Sequence, residues 1–290
     1  MAALGAFDVS VRDDRLGGAR SVSMTRLGRL RWWRLAILAP AGLFFFVPLI
    51  AAVRFCVDTP GGGHSLAAFT SLVGQQGFAP SVWLSLRLAG VALAISLALM
   101  VPTAIYVHLR LPRLRRAMDG VTVLPIVIAP IILITGVLSV APSWLKATPY
   151  LLALEYAVLA MPFMYRSLDA GLRAMDLATL VDAARSLGSR WSTTMLRVLV
   201  PNLRAAIISG SVLTVALVFG EYTMATLDQY QNFSVWIYVF SQSSAQVSVA
   251  ASLFGLVLPW ALLFAISFLA TAKPGRLRRH RVDVTGGERS

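Results

Sequence analysis

Charge is the scarcest property of this sequence: 13% of its 290 residues are Asp, Glu, Lys or Arg, against 57% that are hydrophobic. A soluble domain carries about 25% charged residues, so a soluble fold is excluded. Cysteine occurs once, at Cys56, which rules out a disulfide framework or a thiolate metal site within the chain. Histidine occurs three times, at His64, His108 and His280, all read as lying in loops or tails. With no histidine in a span there is no base beside a serine nucleophile and no H-E-x-x-H zinc pair, which argues against an intramembrane enzyme. A G-x-x-x-x-G-K-[ST] phosphate loop is also missing. An early apolar core is absent too: the stretch to Arg34 is polar and rich in Arg and Gly, unlike a cleavable signal. Met24 is an alternative start, because Met1 to Ser23 shows no periodicity and reads as disordered.

Abundant instead is apolar sequence, in stretches near the ~20 residues that cross roughly 30 Å of hydrocarbon. Six spans are read: Leu35 to Val53, Leu88 to Val107, Gly120 to Val140, Tyr150 to Tyr165, Ala205 to Leu227 and Val249 to Ala270. Backbone polar groups in lipid must pair within their own segment, so an all-α polytopic bundle is predicted. The expected layout is a disordered basic tail over 1–33, a six-helix membrane domain over 34–272 and a basic tail over 273–290. Pro48, Pro102, Pro125, Pro130, Pro162 and Pro259 fall inside spans, where each frees a carbonyl and kinks its helix. Between spans five and six, Asp228 to Ser248 holds Phe233, Val235, Trp236, Ile237, Tyr238 and Phe240. Such uncharged aromatic sequence suits either an interfacial segment or a partner-facing gate.

Net charge is +13, from 26 Lys and Arg against 13 Asp and Glu. Only Arg54, Arg87 and Lys146 lie on one side of the predicted membrane, while the other 23 basic residues lie on the opposite side. Basic residues are retained in the cytoplasm during insertion, which places both termini and the loop between spans four and five in the cytosol. Topology accounts for the whole excess, so the bilayer is the expected partner and nucleic acid is not invoked.

That loop, about residues 172–202, carries the most specific pattern. Asp176 is placed to cap a helix over Leu177 to Leu187, and Gly188 to end it in the left-handed conformation. Ser189 is read as the cap of a second helix from Arg190 to Leu199, and Pro201 as part of the first turn of span five. Within the first helix, Asp182, Ala183 and Ala184 offer one acid and a small surface suited to a groove on another protein.

The pattern Asp182-Ala183-Ala184, then Gly188 and Leu199-Val200-Pro201, resembles the signature loop of permease subunits in binding-protein-dependent ABC importers. Adding Met161-Pro162-Phe163, Arg166, Leu172 to Asp176 and Phe219-Gly220-Glu221-Tyr222 brings it closest to the spermidine/putrescine-type branch; related branches import sulfate, molybdate, ferric iron and aminoethylphosphonate. Asp182 departs from the family's usual Glu, and Val198 and Val200 from its Ile and Leu. The resemblance implies a six-helix importer-type bundle in a prokaryotic inner membrane. Asp182, Ala183, Ala184, Gly188, Arg190 and Pro201 would couple it to a separate ABC ATPase dimer. The same resemblance implies a second permease subunit, identical or different, and an external solute-binding protein. ATP would be bound by the ATPase, and this chain would be non-catalytic and carry no cofactor. The solute implied is polyamine-like, with aminoethylphosphonate, ferric iron or an oxyanion as alternatives.

Glu155 and Glu221 are acids at membrane depth, where a carboxylate faces a cavity or a partner. Glu221, followed by Tyr222, offers charge and an aromatic face to a cationic amine; the competing reading is a structural acid bonded to a neighbouring helix. Glu155 is expected nearer an interface. A proton-coupled secondary transporter using both acids is the alternative class, but it leaves the loop unexplained and normally shows a second repeat, which is not seen.

Overall fold

The computed structural model describes residues 23–58 and 63–271, and the expectations for 1–22 and for the tail beyond Thr271 lie outside the described residues. The described elements are helical apart from one isolated bridge, Asp58 with His64. Contacts divide the chain into two units, residues 1–55 and 56–290.

The described part of the first unit is helix α1, Ser23–Val57, of which Ala36–Val57 is long and apolar enough to span a membrane. It begins about ten residues before the expected boundary. Leu27, Leu30, Trp32 and Trp33 alternate there with Arg26, Arg29, Arg31 and Arg34. Leu and Arg favour helix, and Trp and Arg suit the membrane–water interface.

The second unit is built on α2 (Phe78–Arg110), α3 (Arg115–Val127), α4 (Pro130–Val140) and α5 (Tyr150–Arg173), followed by α6 (Leu177–Ser186) and α7 (Trp191–Asn202). Then come α8 (Arg204–Gly220), α9 (Thr223–Leu227), α10 (Phe233–Ser241) and α11 (Ala245–Thr271). With α1, three of these helices, α2, α5 and α11, contain straight candidate spans; α3 with α4 and α7 with α8 are bent pairs, at 93° and 73°, which make six if each pair is one span.

Several boundaries differ from expectation for identifiable reasons. Span four continues past Tyr165 to Arg173, and in the added turns Arg173 Nε pairs with Asp169 Oδ2 at 2.8 Å. Span three is broken, since Ile128 and Ala129 are extended just before Pro130, as the residue ahead of a proline prefers. Span five stops at Gly220, and α9 starts a new axis. The aromatic segment beyond it packs one face into the bundle. Its Phe233, Val235 and Trp236 are buried, with Phe233 and Trp236 packed edge-on against Phe78.

Small residues set the helix approaches. The buried face of α2 includes Ser81, Ser85, Ala89, Ala92, Ser96 and Ala104, and α5 answers with Ala153, Ala157 and Ala160; Ser96 Oγ donates across the contact to the Ala157 carbonyl at 3.4 Å. In lipid such close backbone packing replaces the hydrophobic drive. The α5–α8 crossing is tighter still: a Cβ on Gly210 would fall 2.6 Å from Met164 Sδ, and one on Gly171 2.6 Å from Ala206 Cβ. We expect Gly210→Val to cost about 1–3 kcal/mol through forced separation of the helices. Gly90→Ala, where a Cβ would meet nothing within 4 Å, should be neutral. Melting in detergent checks both, and equal melting of the two variants contradicts the crossing argument.

Candidate functional site

At the basic end of the bundle, α6 and α7 form a helix, turn and helix. Asp176 caps α6, its Oδ1 accepting the Thr179 amide at 3.3 Å and its Oδ2 the Thr179 hydroxyl at 2.6 Å. Thr179, first through its hydroxyl and then through its amide, holds the Asp176 carboxyl below the usual carboxylate range. The cap therefore persists above about pH 4 and fails only as pH falls through the lower folded value. At the other end Gly188 has φ +74°, with its amide bonded to the Arg185 carbonyl at 2.8 Å and the Ser189 amide to the Ala184 carbonyl at 3.0 Å. An L side chain at that φ is strained, which is the reason for glycine.

Helical phase separates the two alanines. Leu177, Val181 and Ala184 are buried, while Asp182, Ala183, Arg185 and Gly188 are exposed. Leu187, which the sequence reading passed over, is 87% exposed beside the turn. Arg190, rather than Ser189, occupies the cap position of α7; its carbonyl accepts the Thr194 amide at 2.9 Å, and the Ser189 hydroxyl accepts from Thr194 Oγ1 at 3.1 Å. Pro201 lies near the end of α7, ahead of the 73° bend, and not in the first turn of α8. Its missing N–H removes one helical bond, and a π turn runs over Met195–Leu199 just before it. Leu177, Val181, Leu199 and Leu203 join one buried cluster with Ala104, Ile105, Met164 and Leu168, so the loop is anchored to α2 and α5.

His108 is not in a loop. It is buried near the end of α2, with Nδ1 2.9 Å from the Ala104 carbonyl and Nε2 2.9 Å from Asp169 Oδ1. The Nδ1–H donates to the Ala104 carbonyl, and Nε2 meets Asp169 Oδ1 in a close polar contact without hydrogen-bond alignment. Arg173 flanks Asp169, and Arg115 donates to the His108 carbonyl at 3.0 Å. This polar staple, with Asp169 also ion-paired to Arg173, ties α2 to α5 one turn before the loop begins. The spacing of Asp169 and Arg173 was its one sequence signal.

Glu155, Glu221 and Tyr222 lie toward the opposite end, away from the loop. Glu221 ends α8 in extended backbone and caps α9: its carboxylate accepts the Met224 amide at 2.9 Å, the Ala225 amide at 3.4 Å and the Tyr156 hydroxyl at 3.1 Å. Asn232 donates to the Glu221 carbonyl at 2.7 Å and to Tyr156 Oη at 3.2 Å while capping α10. The Tyr222 ring packs on Tyr238 at 5.1 Å. Glu155, although near the start of α5, is only 2% exposed, and neither carboxylate oxygen has a hydrogen-bond partner. Beside it Ile95, Leu99, Leu133 and Val137 help to wall a cavity of about 260 Å³. A carboxylate so placed demands a proton or a cation as companion.

No protein-family model matches the chain. The molybdenum transport system permease protein ModB of Mycobacterium bovis and of Mycobacterium tuberculosis is 27% identical over 205 residues, 66% of this chain and 74% of that protein. The methionine import system permease protein MetP of Bacillus subtilis is 29% identical over 99 residues, 33% of this chain and 44% of that protein. Among solved structures, a bacterial ABC transporter involved in the import of the acidic polysaccharide alginate matches with TM-score 0.61 at 17% identity, covering 86% of this chain and 98% of that one. A bacterial alginate ABC transporter in complex with its alginate pentasaccharide-bound periplasmic protein matches with TM-score 0.60. The fold is that of an ABC importer permease.

Two measurements check these sites. Glu221→Ala strands the Tyr156 hydroxyl and two amides, so it should lower stability in detergent by about 1–3 kcal/mol, with Glu221→Gln losing less; an unchanged melting temperature for the alanine variant removes the capping role. His108→Ala and Asp169→Ala should show a coupling of about 1–3 kcal/mol in a double-mutant cycle. Strictly additive effects would mean that the staple contributes nothing.

Proposed function

We propose that this ABC importer permease subunit couples solute passage to a separate cytosolic ATPase through the α6–turn–α7 element. The observation that carries the reading is the division of that element into two faces. Leu187, Ala183 and Asp182 stand exposed around the Gly188 turn, while Leu177, Val181 and Ala184 are buried behind them. An apolar knob on a small-residue shoulder fits a groove, and a rigid base passes any push on the knob into the spans. Asp182, a shorter acid than the family's Glu, also lines a recess of about 190 Å³ with Arg110, Arg185 and Trp191.

In this reading an ATPase dimer, a second permease subunit and an external solute-binding protein complete a prokaryotic inner-membrane importer. The periplasmic protein in the matched alginate complex supports that assembly. The polyamine expectation rested on the resemblance and on Glu221 offering a carboxylate to a cation. With that carboxylate bonded to Tyr156, Met224 and Ala225, the second of these supports falls away. We favour the oxyanion alternative, in keeping with the name of the ModB relatives.

Purification in mild detergent should bring down an ATPase and a second permease. Leu187→Asp and Gly188→Pro should leave the protein inserted yet reduce ATP-driven uptake about tenfold or more, since each disrupts the knob or its turn. Recovery of the chain alone, with uptake that survives ATP depletion and collapses with the proton gradient, would instead establish the secondary transporter.

A further inference from the structure

We infer that the groove between α5 and α8 is an oxyanion-binding stretch of the solute path, with Arg166 as its ion-pairing group and Ser167 and Ser209 as hydroxyl donors. The inference rests on the permease reading above. The groove has a volume of about 480 Å³ and is lined by Phe163, Arg166, Ser167, Ala170 and Gly171 from α5, facing Ala206, Ser209 and Leu213 from α8. The α5 residues recur at helical spacing on one face, and so do those of α8. Both walls are cut back to small residues, and the close approach of Gly171 to Ala206 fixes their separation.

Three observations point to an anion. First, Arg166 is the one charged residue of the lining, it lies within a span, and it has no hydrogen bond or ion pair among the described residues. An intramembrane charge of this kind faces water or a ligand by default, and a guanidinium matches the planar and tetrahedral oxyanions. Second, the hydroxyls of this groove are uncommitted. Elsewhere many span hydroxyls bond back to their own helix, as do Ser81, Thr103, Thr122, Thr135, Ser211, Thr214 and Ser252, while Ser85 and Ser96 bond across to other helices. Ser167 and Ser209 make no such bond, so both are free to donate into the groove. Third, no carboxylate lines the groove. Glu155 and Glu221 lie on the other side of the fold's midpoint, one buried and one capping α9.

A snorkelling arginine is the competing explanation. Arg166 sits seven residues before Arg173, the last residue of α5, so about 10 Å of helix separates it from the basic end, within reach of headgroup phosphates. That role needs neither two free hydroxyls nor a groove walled by glycine and alanine.

The test uses the intact transporter, this chain with its copurified ATPase and second permease, in liposomes with its binding protein. Uptake is measured for molybdate, sulfate, phosphate and 2-aminoethylphosphonate, with spermidine as cationic probe. At least one anion should be taken up in an ATP-dependent manner, and Arg166→Gln should slow it about tenfold or more. The Ser167→Ala/Ser209→Ala double variant should raise KM severalfold. If Arg166→Gln does not assemble, Arg166→Lys keeps the charge, loses the planar fork and should still raise KM for the anion. Anion uptake insensitive to these changes, or ATP-driven uptake of spermidine alone, overturns the site and leaves the permease reading standing. A loss confined to liposomes containing phosphatidylglycerol marks a headgroup contact and also overturns it. Uptake that needs no ATP overturns both.

Discussion

A helix broken inside a bilayer leaves amides and carbonyls that lipid cannot satisfy, and the arrangement of this protein follows from how it meets that constraint. Where α8 stops at Gly220, Glu221 binds the first free amides of α9, and Asn232 binds the Glu221 carbonyl while its own oxygen caps α10. Ser234 satisfies the Phe219 carbonyl at 2.6 Å, and Ser85 of α2 takes the Phe233 amide at 2.8 Å. Tyr156 of α5 joins the two caps through its hydroxyl. Local caps meet some of the freed groups and side chains from distant helices meet the others, so the break ties α2, α5, α8 and α10 together.

At the basic end the same economy is reached with ions and apolar packing. The His108–Asp169–Arg173 staple fixes α2 to α5, and directly beyond it Leu177 and Val181 seat the loop on the same helices. A displacement of α6 is therefore a displacement of α2 and α5. The small-residue contacts of α5 with α2 and α8 leave little slack between them, because close-packed elements shift as units. Polar groups at one end hold a broken span together, and at the other end apolar packing seats the loop on the helices. The acids of the first end are thereby drawn into structure, while Arg166 between the ends keeps its charge unpaired.

How much of this was legible follows the range of the interaction. The Asp176 cap and the Gly188 turn depend on residues within one or two helical turns, and both stand where the spacing put them. Span existence was legible for the same reason, although span four was cut short at Arg166 because hydropathy counts charges without knowing that Asp169 meets Arg173 and His108. Placing His108 in a loop was the same error seen from the partner helix. The burial of Ala184 against the exposure of Ala183 was hidden because helical phase is set by which face finds an apolar cluster.

By itself, then, the sequence determined an all-helical membrane protein, its basic face and a helix–glycine–helix loop, since apolar length, charge bias and turn chemistry are local properties of the chain. Tertiary structure decided the assignment of each polar residue. Glu221 became a cap, Glu155 a buried carboxylate without a partner, His108 a staple, and Ser167 and Ser209 free donors beside Arg166. The reason is physical: in a low-dielectric interior a polar side chain takes its role from the partner it meets, and those partners lie on helices far away in sequence.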